Sequence, residues 1–111
     1  MSDKPLTTPM VHVLIALADG EKHGYAIIQF VSRSSDGAVK LGAGTLYGIL
    51  KRFLQQGWVA EQASTREDDD PRRRYYRLTE IGEGVLRREV RRLETLVRAA
   101  SKQGLPAEGN A

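Results

Sequence analysis

Residues 58–79 read WVAEQASTREDDDPRRRYYRLT, and how this stretch is parsed decides the fold. "WVAEQA" and "RRRYYRL" are rich in aromatic and branched residues and read as two short strands. The segment between them, "STREDDDP", has the composition of a hairpin loop. On the second strand, alternation places Tyr76 and Leu78 on one face, and Arg73, Tyr75 and Arg77 on the other. Tyr76 and Trp58 are expected in the core. The acids Asp68, Asp69 and Asp70 are expected on the solvent side of the loop, where they tether the arginines.

Working back from the hairpin, "GTLYGILKRFLQQG" (44–57) is the clearest helix. Leu46, Ile49, Leu50, Phe53 and Leu54 follow the i, i+3, i+4, i+7, i+8 pattern of a single apolar stripe. Tyr47 falls off that stripe, beside Lys51, on a face left bare by Gly44 and Gly48. Glycine inside a helix costs about 1 kcal/mol relative to alanine, a cost that close approach of a partner explains. Upstream, "GYAIIQFVSRS" (24–34) predicts a second helix with Ile27, Ile28 and Val31 inward. His23 at its start is suited to satisfy backbone groups as a neutral imidazole. Between these helices "AVKL" reads as a short strand and "GAGT" as a turn.

"TTPMVHVLIALADG" (7–20) predicts a first helix, with Thr8 as N-cap, Pro9 at the first helical position and Gly20 as its end. It is apolar nearly all round, so it is expected to be buried on more than one side, with Val11 and Leu14 at a subunit contact. His12 is expected to be buried or at that interface. Downstream of the hairpin, Thr79 caps a last helix and Gly82 permits tight packing near its start. Along that helix Leu86, Val90, Leu93, Val97 and Ala100 form a heptad seam, with Leu96 beside it. About two heptads are too few to stand alone, so a second copy is expected to bury the seam.

The predicted order is helix, helix, strand, helix, hairpin, helix. The fold class is mainly α with a small β-hairpin: a winged helix-turn-helix followed by a C-terminal dimerisation helix. The expected organisation is a flexible N-terminus (1–7), a winged domain (8–79), the dimerisation helix (80–102) and a flexible tail (103–111).

Length and composition agree with one domain. The chain has 111 residues, 41% hydrophobic and 28% charged, with no cysteine. Disulfides and thiolate metal sites are therefore excluded. No apolar run reaches the length of a membrane span, and no signal peptide is visible, so the cytoplasm is the expected compartment. Residues 1–70 carry seven Lys/Arg against nine Asp/Glu, and residues 71–111 carry ten against five. That asymmetry points to a surface that meets a polyanion. The two histidines lack the company of a metal site, "EDDD" lacks the ligand spacing of a calcium loop, and no nucleophile–base pair can be assembled. Neither catalysis nor a cofactor is expected.

"HGYAII" (23–28), "LGAGTLYGILKRFLQQGWV" (41–59) and "RRRYYRLTEIG" (72–82), in that order and spacing, resemble the PadR family of transcriptional regulators. The likeness is to its short subfamily, with a single C-terminal helix. It implies a homodimeric repressor that binds double-stranded DNA, with the third helix in the major groove and the wing on the backbone or minor groove. Position by position, it implies DNA contacts from Gly44, Thr45 and Tyr47 at the start of the third helix and from Lys51 one turn on. Tyr25 matches a phosphate-facing tyrosine, and Arg72, Arg73 and Arg74 fall in the basic wing. The dimer is implied through the last helix (Leu86, Val90, Leu93, Val97), with Val11 and Leu14 of the first.

Two positions depart from the pattern: Ala43 replaces a frequent proline, and Gly48 a larger residue. The family often senses small molecules, which makes an effector of unstated identity a further expected partner. No tryptophan occurs on the last helix to stack a planar ligand.

Overall fold

The computed structural model describes residues 5–107. The outermost parts of the expected flexible ends, 1–4 and 108–111, lie outside these. The elements are α1 (Thr8–Ala18), β1 (Lys22–His23), α2 (Gly24–Ser34), α3 (Ala43–Gln56), β2 (Val59–Ala63), β3 (Arg74–Leu78) and α4 (Glu80–Lys102). Three helices pack around one core whose largest fully buried side chains are Phe53, Leu14, Ile27, Leu46, Leu50, Val13 and Val31. The apolar stripe of α3 is thus spent in the core, as its periodicity predicts. No helix among the described residues is long and apolar enough to cross a membrane.

Three local expectations are corrected. The cap of α1 is Thr7, whose hydroxyl accepts from the Met10 amide at 3.4 Å, so Thr8 is the first helical residue and Pro9 the second. "AVKL" is not a strand. Its chain leaves α2 through the left-handed Asp36 (φ 52°) and Gly37 (φ 78°), and the Val39 amide bonds to the Ser35 hydroxyl at 3.0 Å. The strand that does form is β1, which adds to the hairpin in the antiparallel order β1-β3-β2, with Lys22 opposite Tyr76 and His23 opposite Tyr75. Two residues carry no readable alternation, so the sequence pattern could not show it.

Lys22 explains why the chain turns there. Its ammonium bonds to the carbonyl oxygens of Ala16 (2.8 Å) and Gly20 (3.3 Å) and to the Asp19 carboxylate (2.7 Å), closing the C-terminal end of α1. A cation among the free carbonyls of a helix end is favoured by both hydrogen bonding and the helix dipole.

The third correction concerns the expected subunit contact on α1. Leu14 is wholly buried in the core and Val11 is 9% exposed, so these two positions have little surface to share. Ile15 is the large apolar residue that α1 exposes. His12 is half-buried, and its Nδ1 is shielded and without a partner among the described residues.

Helix α4 follows from its sequence closely. The Thr79 hydroxyl caps it, accepting from the Gly82 amide at 3.1 Å, with Glu80 and Glu83 in the first turn where the dipole favours acids. At 23 residues it is the longest element, about 35 Å at 1.5 Å per residue. Leu86 packs against the core, whereas Val90, Leu93, Leu96 and Val97 stay exposed. Among them Glu89 is buried but matched by Arg92 at 2.5 Å, so its charge is satisfied.

Candidate nucleic-acid interface

The outer face of α3 is built from what the core does not take. Gly44, Thr45, Tyr47, Gly48 and Lys51 are exposed, and Tyr25 at the start of α2 is 65% exposed beside them. No heavy atom lies within 4 Å of where a Cβ would stand on Gly42, Gly44 or Gly48. The bare face predicted from the sequence is therefore open, not filled by the protomer. Gly42 caps α3 without a side-chain hydrogen bond, which leaves amide N–H groups of the first turn free for an outside acceptor. Arg52, by contrast, borders a groove between α1, α3 and α4, with Met10, Ile81 and Arg88.

The far end of Tyr47 packs against Gly24. A Cβ on Gly24 would fall on the Tyr47 hydroxyl, so the glycine of "HGY" makes room for the tyrosine of "GTLY". The ring packs there while it remains 51% exposed. Next in the chain, the His23 Nδ1 accepts from the Ala26 amide at 3.2 Å and caps α2, as a neutral imidazole must. Burial, with help from the nearby Arg73 charge, lowers its pKa and keeps it in that form. Its ring meets Tyr75 edge-on, with centroids 5.4 Å apart.

Tyr75 leads into the wing. Its hydroxyl donates to Asp69 at 2.5 Å; the same carboxylate accepts from the Ser64 hydroxyl, the Asp70 amide and the Arg73 guanidinium, each at 2.8 Å. The hydrogen bonds from Tyr75 and Ser64 are the main reason its pKa falls to about 2. Asp69 thus corrects the expectation that all three acids face solvent: its side chain is only 7% exposed.

The predicted tethering of arginines by acids is present, with unequal grip. Arg73–Asp69 is close, whereas Arg72–Asp70 (3.4 Å) and Arg66–Asp68 (3.6 Å) are long and lie in solvent. Such exposed pairs contribute little. Arg74 forms no ion pair among the described residues. Tyr76 is buried and Leu78 half-buried, as alternation predicts, but Tyr75 is half-buried rather than free. Nothing in the residue pattern marks Asp69 apart from its acidic neighbours; its role appears only once the loop closes between Ser64 and Arg73.

Residues 13–88 match the Transcriptional regulator PadR-like family. The chain belongs to that family. Over 88 residues it is 35% identical to the transcriptional regulator Rv3488 of Mycobacterium tuberculosis, an alignment that covers 79% of this chain and 78% of that protein. It is also 35% identical over 96 residues (86% of this chain) to an uncharacterized 37.1 kDa protein in transposon TN4556 of Streptomyces fradiae, of whose length it spans 26%. Among solved structures, that of Bacillus subtilis PadR in complex with operator DNA superposes with a TM-score of 0.66 at 20% identity, covering 78% of this chain and 48% of that one. The winged helix-turn-helix is therefore the fold, and this PadR-like chain is a transcriptional regulator rather than an enzyme.

The open face of this PadR-like chain has a direct mutational consequence. Gly48→Ala meets nothing in the protomer and removes a helix-interior glycine, so it is expected to stabilise the fold by about 1 kcal/mol. If the face seats against DNA, the same change weakens DNA binding. Thermal melts and binding titrations on one preparation check the two signs, and a variant that gains stability with unchanged DNA affinity removes Gly48 from the interface.

Proposed function

We propose that the protein is a homodimeric, sequence-specific repressor that binds an inverted-repeat operator. Helix α3 lies in the major groove and presents Gly44, Thr45 and Tyr47 to base edges. Tyr25, Lys51 and the wing residues Arg72, Arg73 and Arg74 hold the phosphate backbone or enter the adjacent minor groove. One observation carries this reading: a continuous set of contacts joins the exposed face of α3 to the wing. Tyr47 rests on Gly24, His23 meets Tyr75, and Tyr75 binds the Asp69 that grips Arg73. The two DNA-facing parts are thereby fixed relative to each other before any ligand arrives, which reduces the ordering cost of binding.

The dimer forms through α4. Val90, Leu93, Leu96 and Val97 are a connected apolar strip that the protomer leaves in water. Leu86 borders it, and Ile15 of α1 takes the place expected for Val11 and Leu14. A small-molecule effector, in this reading, sits in the groove lined by Met10, Trp58, Val85 and Arg88.

The test is a salt titration of binding to double-stranded DNA. Each phosphate neutralised contributes about −0.9 to the slope of log affinity against log salt, so contacts from both protomers give a steep line. Weak association insensitive to salt, beside tight binding to a protein, would favour a winged-helix module that serves protein partners instead.

A further inference from the structure

We propose that Asp69, an acid in the basic wing, is a positioning residue for DNA binding that holds Arg73 in the orientation in which it meets phosphate. The inference rests on the DNA-binding reading above and adds a residue that charge alone would set against it. A carboxylate near a polyanion is repelled, so an acidic wing tip is at first sight a defect or a brake.

The geometry points the other way. Asp69 is withdrawn from solvent, and its two oxygens are saturated by four donors, from Ser64, Asp70, Arg73 and Tyr75. A carboxylate so enclosed does not swing toward an incoming phosphate. Its neighbours lack this enclosure. Asp68 only flanks the exposed Arg66 at 3.6 Å. Asp70, with its side chain 43% exposed, accepts from the Arg72 amide at 2.9 Å and reaches the Arg72 guanidinium only at 3.4 Å.

The arginine is held by one end only. A single Nη1 hydrogen of Arg73 is spent on Asp69 Oδ1, and the side chain remains 44% exposed. The Tyr75 hydroxyl also lies close enough to bear on the guanidinium, and the N–H groups that remain can form charge-assisted bonds with phosphate oxygens. A long, flexible side chain pinned in this way loses less rotamer freedom when it binds. Tyr75 completes the device. Its hydroxyl is fixed on Asp69 and its ring on His23, so Arg73 is oriented by way of α2 rather than by a free loop. Asp69 acts through Arg73 and touches no DNA itself.

The sign of the effect separates positioning from repulsion. In the whole chain, Asp69→Asn makes the wing more positive, so simple electrostatics calls for tighter binding to any duplex. Positioning calls for the reverse: roughly tenfold weaker binding to random-sequence double-stranded DNA at low salt, and a salt slope smaller in magnitude by about 1. Arg73→Ala is expected to match it, and the Asp69→Asn/Arg73→Ala double variant to bind no more weakly than Arg73→Ala alone. Tyr75→Phe changes no charge yet removes a donor to Asp69, and is expected to weaken binding in the same direction.

Asp69→Asn binding as tightly as the parent, or more tightly, overturns the proposal. Should thermal melts show Asp69→Asn unfolded, Tyr75→Phe decides in its place, and an unchanged affinity and slope there overturns it. A parent protein that binds no duplex at all would instead defeat the DNA-binding reading itself, and the proposal with it.

Discussion

Leu93→Glu is expected to convert the proposed α4-mediated dimer to a monomer. In the protomer, Leu93 is 37% exposed within the strip formed by Val90, Leu96 and Val97, so the charge is tolerated while the chain is alone. In a dimer that buries the strip, the carboxylate is desolvated without a partner, which costs several kcal/mol. A penalty of about 3 kcal/mol raises the dimer dissociation constant roughly a hundredfold. Operator affinity falls with it, because two half-sites are no longer bound as one unit. Sedimentation across a concentration series measures the first effect and DNA titration the second. A variant that stays dimeric at the parent's concentrations removes α4 from the interface, while its unchanged thermal melt would confirm that the protomer fold is intact.

Gly82→Ala is expected to be the most damaging small substitution in the chain. A Cβ at Gly82 would overlap the Trp58 carbonyl oxygen and come within 3.0 Å of a Leu78 methyl. The carbonyl cannot retreat, because it already accepts from the Thr79 amide at 3.0 Å. Thr79 is fixed in turn, its hydroxyl donating to the Gly57 carbonyl at 2.6 Å while it caps α4. Gly57 sits in the left-handed conformation (φ 75°) that ends α3. Either α4 lifts from the hairpin or this junction breaks. Overpacking of this kind costs about 3 kcal/mol, which lowers the melting temperature by roughly 10–20 °C in a domain of this size. A melt within a few degrees of the parent would mean that α4 is not seated against Trp58 as described.

Those two residues also show why so much of the fold could be read in advance. The stripe from Leu46 to Leu54, the stop at Gly57, the cap at Thr79 and the need for a small residue at Gly82 are local signals, each set by one helix or one turn. The bare face of α3 was legible for the same reason: removing the buried stripe leaves Gly44, Thr45, Tyr47, Gly48 and Lys51 on one side, with Arg52 and Gln55 beyond them.

What the sequence did not disclose depends on contacts between distant segments. Strand β1 exists because β3 offers it a free edge and Lys22 closes α1, neither of which leaves a periodic trace. Leu14 and Ile15 are equally apolar neighbours, and only the packing of three helices decides which one stays outside. Asp69 looks like Asp68 and Asp70 until Ser64, Arg73 and Tyr75 converge on it. The assignment of Tyr25 and the wing arginines to DNA came from the family resemblance; exposure at those positions agrees with it, and binding measurements are what establish it.

The central claim is that two copies of α3 read a specific duplex sequence, and selection of bound DNA from a random pool tests it most directly. A two-fold dimer presents its helices in opposite directions, so the recovered sequences should converge on an inverted repeat. The half-site centres should lie about one helical turn apart, roughly 10 bp, or a multiple of it. Recovery of only asymmetric or unrelated sequences, with no enrichment over the starting pool, would contradict specific readout by a dimer.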